Sequence, residues 1–255
     1  MMLQQVRTAL ITGGARRIGA AITSDLAAKG FSTAIHCNGS RDEAEALAAR
    51  IRDEGGLAVV LQADLTDMNA AEGLLERATQ LVGPIGLLVN SASVFEDDSV
   101  ADFTWEVWNR HFDLHVKAPI MLARRFAEAL PESLSGLVIN IVDQRVLRPN
   151  PRFFSYALSK SALWDATRTM AQALAPRIRV NAIGPGPALP NVRQSDADFE
   201  RQVAGLILGR GPELGEFGAT VRYLFETLSV TGQMIAIDGG QHLAWQTPDV
   251  TGMRE

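Results

Sequence analysis

The chain has 255 residues, 47% of them apolar and 21% charged, and a net charge of −5. That balance lacks the basic face that broad nucleic-acid binding requires, and no apolar run approaches membrane-spanning length, so neither nucleic acid nor membrane is an expected partner. The length suits one domain spanning 1–255. The lone cysteine, Cys37, and a start without a secretion-type apolar stretch predict a cytoplasmic protein.

Short β-rich runs alternate with helical patterns along the chain. Residues 8–12 read as the first strand and open directly into Gly13-Gly14. Apolar positions at helical spacing follow over 18–29 and stop at Gly30. Residues 32–36 form strand two, 41–54 an alanine-rich helix stopped by Gly55-Gly56, 57–62 strand three, and 67–82 a further helix. Strands four and five fall at 86–90 and 136–142, a long helix at 155–175 ends before Pro176, and strands six and seven fall at 178–183 and 233–237. Such alternation predicts a single-domain Rossmann-type α/β fold, a doubly wound parallel seven-stranded sheet with helices on both faces. The Gly- and Pro-rich stretch 184–215, with a helical patch over 196–207, lies where ligands bind beyond the strand ends and reads as a substrate loop.

The turn from Thr12 to Gly19 joins the first strand to the first helix. Glycine permits a sharp turn and close approach to a pyrophosphate, and the helix start offers free N–H groups. Arg17 stands where the fingerprint usually has its middle glycine. At the end of strand two no acid waits for a ribose 2′-hydroxyl; His36-Cys-Asn-Gly-Ser40 leads to Arg41 instead. Ser40, Arg41 and Arg16 suit a 2′-phosphate, so NADP(H) is the expected cofactor. His36 has a competing role as a half-buried strand-end histidine, and Asp64 reads as an acceptor for adenine or as a turn cap.

Tyr156 and Lys160 lie four residues apart on one helix face. A neighbouring ammonium is expected to lower the phenol's pKa, so that tyrosine exchanges a proton while the cofactor exchanges a hydride.

Taken together, these motifs resemble the short-chain dehydrogenase/reductases over nearly the whole chain: the 12–19 turn, Asp64, Asn90-Ser91-Ala92, Tyr156 with Lys160, Asn181 to Gly186, and Thr231 with Asp238-Gly239-Gly240. The resemblance implies a nicotinamide cofactor held by Gly13, Arg16, Arg17, Ile18, His36, Ser40, Arg41, Asp64, Leu65, Asn90, Ser91, Ala92, Tyr156, Lys160, Pro185 and Gly186, and a homotetramer or homodimer. Two positions depart from the family. Asp143 replaces the serine normally found about 13 residues before the tyrosine, and His115 replaces the usual asparagine ahead of Ala118-Pro119. An aspartate there resembles the pteridine reductase branch, as do Arg17 and the spacing of Ser93 and Phe95 after Asn90. Gly39 stands where that branch commonly has an arginine, and Ala188 where it often has a serine.

The branch implies that Arg17, Ser93, Phe95, Asp143 and Tyr156 bind a pterin or folate, with Phe95 stacking on it, and that Tyr156, Lys160 and Asp143 relay a proton. No metal site is read. Competing readings assign Asp143 to an ion pair with Arg145 or Arg17, Phe95 to core packing, and His115 to a structural role rather than acid catalysis. Trp108, Phe153, Phe154 and Trp164 read as core or subunit contacts, and Arg145 and Arg148 as a solvated loop rather than a greeting for an acidic substrate tail. The leading function is NADPH-dependent reduction of a pteridine C=N bond. The alternatives are reduction of another carbonyl or imine, and a non-catalytic dinucleotide sensor.

Overall fold

In the computed structural model, which describes residues 3–191, 193–247 and 251, seven parallel strands form one sheet in the order β3-β2-β1-β4-β5-β6-β7. The strands are β1 (Thr8–Thr12), β2 (Ser32–Cys37), β3 (Ala58–Gln62), β4 (Leu87–Asn90), β5 (Gly136–Ile141), β6 (Ile178–Pro185) and β7 (Met234–Ile237). The nine described α-helices are α1 (Arg17–Ala28), α2 (Arg41–Asp53), α3 (Met68–Glu72), α4 (Leu74–Val82), α5 (Trp105–Phe112), α6 (Ala118–Ala129), α7 (Phe154–Leu174), α8 (Asp196–Ala204) and α9 (Leu214–Glu226).

Alternation along each strand feeds two opposite layers. Ala9 and Ile11 of β1, with Leu87 and Val89 of β4, meet Ile22 and Leu26 of α1 and Phe217 and Val221 of α9. Leu10 and Leu88 face the other way, toward Leu74 of α4, Leu122 and Phe126 of α6, and Ala171 of α7. Burial on both faces explains why these strands are apolar runs rather than alternating ones. The chain reverses its winding between β1 and β4, whose ends align at Thr12 and Asn90. The crevice beyond such a switch point is where open α/β sheets bind ligands.

Three elements differ from expectation. The helix expected over 67–82 is two segments divided at Gly73, with Asp67 capping the first through a 2.9 Å bond from the Asn69 amide. Glycine's low helix propensity accounts for the division. Helix α9 is unanticipated, although its buried Phe217, Val221, Leu224 and Phe225 keep helical spacing. Between α5 and α6 the backbone widens into a π-turn over Asp113–Lys117, which carries His115. No described helix is long and apolar enough to cross a membrane. Of the terminal segment from His242 onward, which carries no readable motif, residues 248–250 and 252–255 lie outside the described ones.

Candidate active site

The turn after β1 brings backbone, rather than side chains, to the crevice. Gly13 has a left-handed φ of 61°, and a Cβ there would lie 2.8 Å from the Ala92 Cα. Thr12 ties the adjacent strand ends together, its Oγ1 accepting from the amides of Ser91 at 3.0 Å and Ala92 at 3.1 Å. Arg17 keeps a left-handed φ of 52°, a conformation costing a non-glycine residue roughly 1–2 kcal/mol. Its guanidinium crosses the crevice to donate to the carbonyls of Leu189 (3.3 Å) and Pro190 (3.1 Å), fastening the loop after β6. No side chain caps the start of α1.

His36 is buried, and both its ring nitrogens are used within the chain. Nδ1 accepts from the Gly13 amide at 3.1 Å, and Nε2 donates to the Ala63 carbonyl at 3.1 Å. With both nitrogens committed, this ring is a neutral brace that aims the Gly13 turn while its residue still lines the cavity, the strand-end structural role weighed for it. Burial lowers its pKa to about 4. The unfolded chain protonates His36 as pH falls through about 6.5, while the folded chain resists until about 4, so stability drops as pH falls across that window. Between pH 7 and 5 this one group is expected to remove about 2 kcal/mol of stability. Urea midpoints at the two pH values test this, because His36→Asn keeps an acceptor for Gly13 and should narrow the gap. An equal gap in wild type and variant would refute it.

The reacting end is built on α7. Tyr156 Oη donates to Asp143 Oδ2 at 2.9 Å, while Asp143 Oδ1 accepts from the Arg145 amide at 2.8 Å. The carboxylate thus caps a short turn and holds the phenol, and among the described residues it makes no ion pair with Arg145 or Arg17. Lys160 Nζ donates to the Ile141 carbonyl at the end of β5, 2.9 Å away, and lies 5.7 Å from the Tyr156 ring centroid. Burial lowers its pKa to about 8. The expected lowering of the tyrosine pKa is reversed: burial first, then the Asp143 carboxylate, push it well above the ordinary phenol value. At neutral pH Tyr156 is a neutral proton donor.

Two histidine–serine rungs clamp the wall opposite. His111 Nδ1 meets Ser155 Oγ at 2.7 Å, and His115 Nδ1 meets Ser159 Oγ at 2.8 Å, joining residues 44 positions apart. Their Nε2 atoms accept from the amides of Glu96 (3.3 Å) and Val94 (3.2 Å), and Ser93 Oγ lies 3.0 Å from His115 Nε2. His115 is buried, and that burial lowers its pKa well below the ordinary value. It therefore orients the Ser93–Phe95 segment rather than supplying a proton. The Phe95 ring stands edge-on to Tyr156, 4.7 Å between centroids, and stacks on Phe153 at 4.2 Å. Phe153, itself buried, thus backs the Phe95 ring that lines the site.

These groups surround a cavity of about 980 Å³. Its walls include Gly13, Arg16, Arg17, Ile18, His36, Ser40, Asp64, Leu65, Ser91, Ala92, Ser93, Phe95, Asp143, Tyr156, Lys160, Pro185 and Gly186. Asp64 caps its own turn through Thr66, which lowers its pKa, and still faces the cavity. Two expected cofactor residues are not among the lining residues. Arg41, the first residue of α2, lies beside Glu45 and Gln62, and Asn90 donates to Asn140 Oδ1 at 2.8 Å. Sequence reasoning missed Asn38, Gln144, Leu189 and Arg193, and set Arg145 aside; all line the cavity. Only Asn38 and Gln144 carried a signal, as neighbours of chosen residues.

Comparison with known proteins agrees with this architecture. The family described as short chain dehydrogenase matches residues 7–201. The chain belongs to the short-chain dehydrogenase family. Among solved structures, FolM Alternative dihydrofolate reductase 1 from Brucella suis in complex with NADP is 61% identical, with a TM-score of 0.94, covering 96% of this chain and 98% of that one. The Brucella canis protein of the same description, also with NADP, gives the same identity and score, covering 96% and 97%. A short-chain type dehydrogenase/reductase from Picea abies is 29% identical over 249 residues, 92% of each chain. As a short-chain dehydrogenase the protein is an NAD(P)H-dependent oxidoreductase, and the family's remaining motifs serve structure. Asn181 and Thr231 join β6 to the segment before β7, and Asp238 caps the turn after β7.

Proposed function

We propose that this protein is an NADPH-dependent reductase of a pteridine C=N bond, acting on a dihydropterin or dihydrofolate. The observation that carries the reading is the 2.9 Å bond between Tyr156 Oη and Asp143, in a site where the Phe95 ring flanks the same phenol. The likeness to the Brucella proteins, described as dihydrofolate reductases in complex with NADP, supports it.

The residues present fit the cofactor. Gly13 and Gly19 leave a cradle that a Cβ would fill, the first amides of α1 are uncapped by side chains, and no acid stands at the end of β2. Gly13, Ile18 and the Ser91–Ala92 backbone would hold the dinucleotide, with Ser40 and Arg16 toward a 2′-phosphate. The bound cofactor supplies a hydride to the substrate carbon. Tyr156, neutral at working pH, gives its proton to the adjacent substrate nitrogen. Asp143 holds the phenol in place beforehand, and its carboxylate is positioned to pass a replacement proton from solvent to the tyrosinate. Lys160, charged below pH 8, stabilises the tyrosinate as it forms. Phe95 gives a flat heterocycle a face to lie on.

Subunit association and a cytoplasmic setting belong to the same proposal. An aromatic patch supports association: Trp105 is 67% exposed beside Phe103, and Trp108 stacks on Phe112 at 4.8 Å.

Loss of reduced-nicotinamide absorbance, measured with dihydrobiopterin, dihydromonapterin and dihydrofolate against a panel of simple ketones, tests the reading. Dihydropteridine turnover that falls roughly 100-fold or more in Asp143→Ala is the expected result. Turnover of ketones alone would overturn it.

A further inference from the structure

Guanidinium groups gather on the stacked Phe95–Phe153 pair, and two of them, those of Arg145 and Arg193, belong to residues that line the cavity. The Arg145 Cζ lies 5.4 Å from the Phe95 centroid and 4.9 Å from that of Phe153. Arg193, from the loop after β6, lies 5.2 and 5.7 Å from the same rings, and Arg152 5.6 Å from Phe153. Cation–π contact lowers the cost of holding such groups but leaves their N–H donors unspent. Arg193 uses one donor, to the Phe95 carbonyl at 3.0 Å. Among the described residues, the side chains of Arg145 and Arg152 make no hydrogen bond and no ion pair. The nearby acid Glu96 is already committed to Arg110. Arg145 Nη1 is shut off from solvent with no partner, an arrangement that costs stability unless a ligand completes it. In a chain whose net charge is −5, this is a local excess of positive charge beside the reacting phenol.

We propose that Arg145, Arg193 and Arg152, seated on the Phe95–Phe153 pair, form a subsite for a carboxylate carried on an arm of the substrate. The subsite rests on the pteridine reading above and sharpens it. The preferred substrate is a conjugated dihydropteridine whose arm ends in carboxylates, of which dihydrofolate is one, over an unconjugated dihydropterin with a neutral hydroxylated side chain. The heterocycle lies at Tyr156, the arm passes along the Phe95 edge, and the carboxylate reaches Arg145 and Arg193, which line the cavity, with Arg152 beside them over the Phe153 ring.

Steady-state kinetics with saturating NADPH test this, using dihydrofolate and dihydrobiopterin as the two probes. The readout is the ratio of their kcat/KM values, in which any general loss of activity cancels. Wild type is expected to favour dihydrofolate through KM. Arg145→Gln combined with Arg193→Gln should lower the ratio about 10- to 100-fold, as for loss of charge-assisted hydrogen bonds to a carboxylate. Raising ionic strength should raise the KM of dihydrofolate in wild type more than in the double variant. A ratio unchanged by the substitutions, with both substrates still reduced, would overturn the subsite and leave the pteridine reading standing. Failure of the wild-type protein to reduce either probe would instead overturn the pteridine reading, and the subsite with it.

Discussion

Tyr156→Phe is expected to lower dihydropteridine-dependent NADPH oxidation by roughly 100- to 10,000-fold, the range for loss of a positioned proton donor. The phenol is the group whose pKa burial and Asp143 hold well above its ordinary value. It stays protonated in the resting site and can give that proton only as negative charge develops on the substrate. The substitution removes one oxygen and leaves the ring against Phe95 and His115. Asp143 keeps its bond from the Arg145 amide, so the wall should hold its shape. NADPH titrated by fluorescence should therefore bind the variant as it binds wild type, and the melting temperature should change little. Near-normal turnover in the variant would remove Tyr156 as the proton donor and, with it, the chemical step assigned here. Lost turnover together with lost NADPH binding would point to a collapsed site instead.

Gly19→Ala is expected to weaken NADP(H) binding by roughly 100-fold or more, equivalent to about 3 kcal/mol. A Cβ at this position would lie 2.1 Å from the Gly13 carbonyl oxygen and 2.9 Å from its carbon. Neither side can give cheaply. The Gly13–Gly14 turn is held to β2 by the bonds of their amides to His36 and is pressed against Ala92 on its other flank. Helix α1 has Ile22 and Leu26 fully buried against the sheet, so moving it outward opens the core, at a cost of about 1–3 kcal/mol. Either response separates the turn from the start of α1 and spoils the cradle. Gly73→Ala is the matched control, because a Cβ there meets nothing within 4 Å. Calorimetric titration with NADP compares the two variants. Wild-type affinity in Gly19→Ala would show that the cradle is not where the cofactor's phosphates sit.

Much of the fold was legible because its signals are local. A strand that is apolar throughout, a glycine turn, and a Tyr and Lys four residues apart on one helix face each fit within a few residues, and backbone geometry turns such short patterns into shape with little help from the rest of the chain. What escaped the sequence lies between residues far apart in it. The His111–Ser155 and His115–Ser159 rungs cross 44 positions, and only the docking of α5 and the π-turn against α7 brings them together. Phe153 reads as an ordinary core residue until its left-handed backbone and the loop after β4 stack it on Phe95. His36 reads equally as a cofactor-site residue or a strand-end histidine until the fold shows Gly13 and Ala63 bonded to both of its nitrogens. The sign of the Tyr156 shift depended on burial and on a carboxylate 13 residues upstream, and spacing to Lys160 alone could not reveal it. Sequence by itself determined the order of elements, the phosphate turn and the reacting pair. Only the tertiary structure decided which polar groups are spent on one another and which are left for a ligand, because desolvation and long-range hydrogen bonds exist only once the layers have closed.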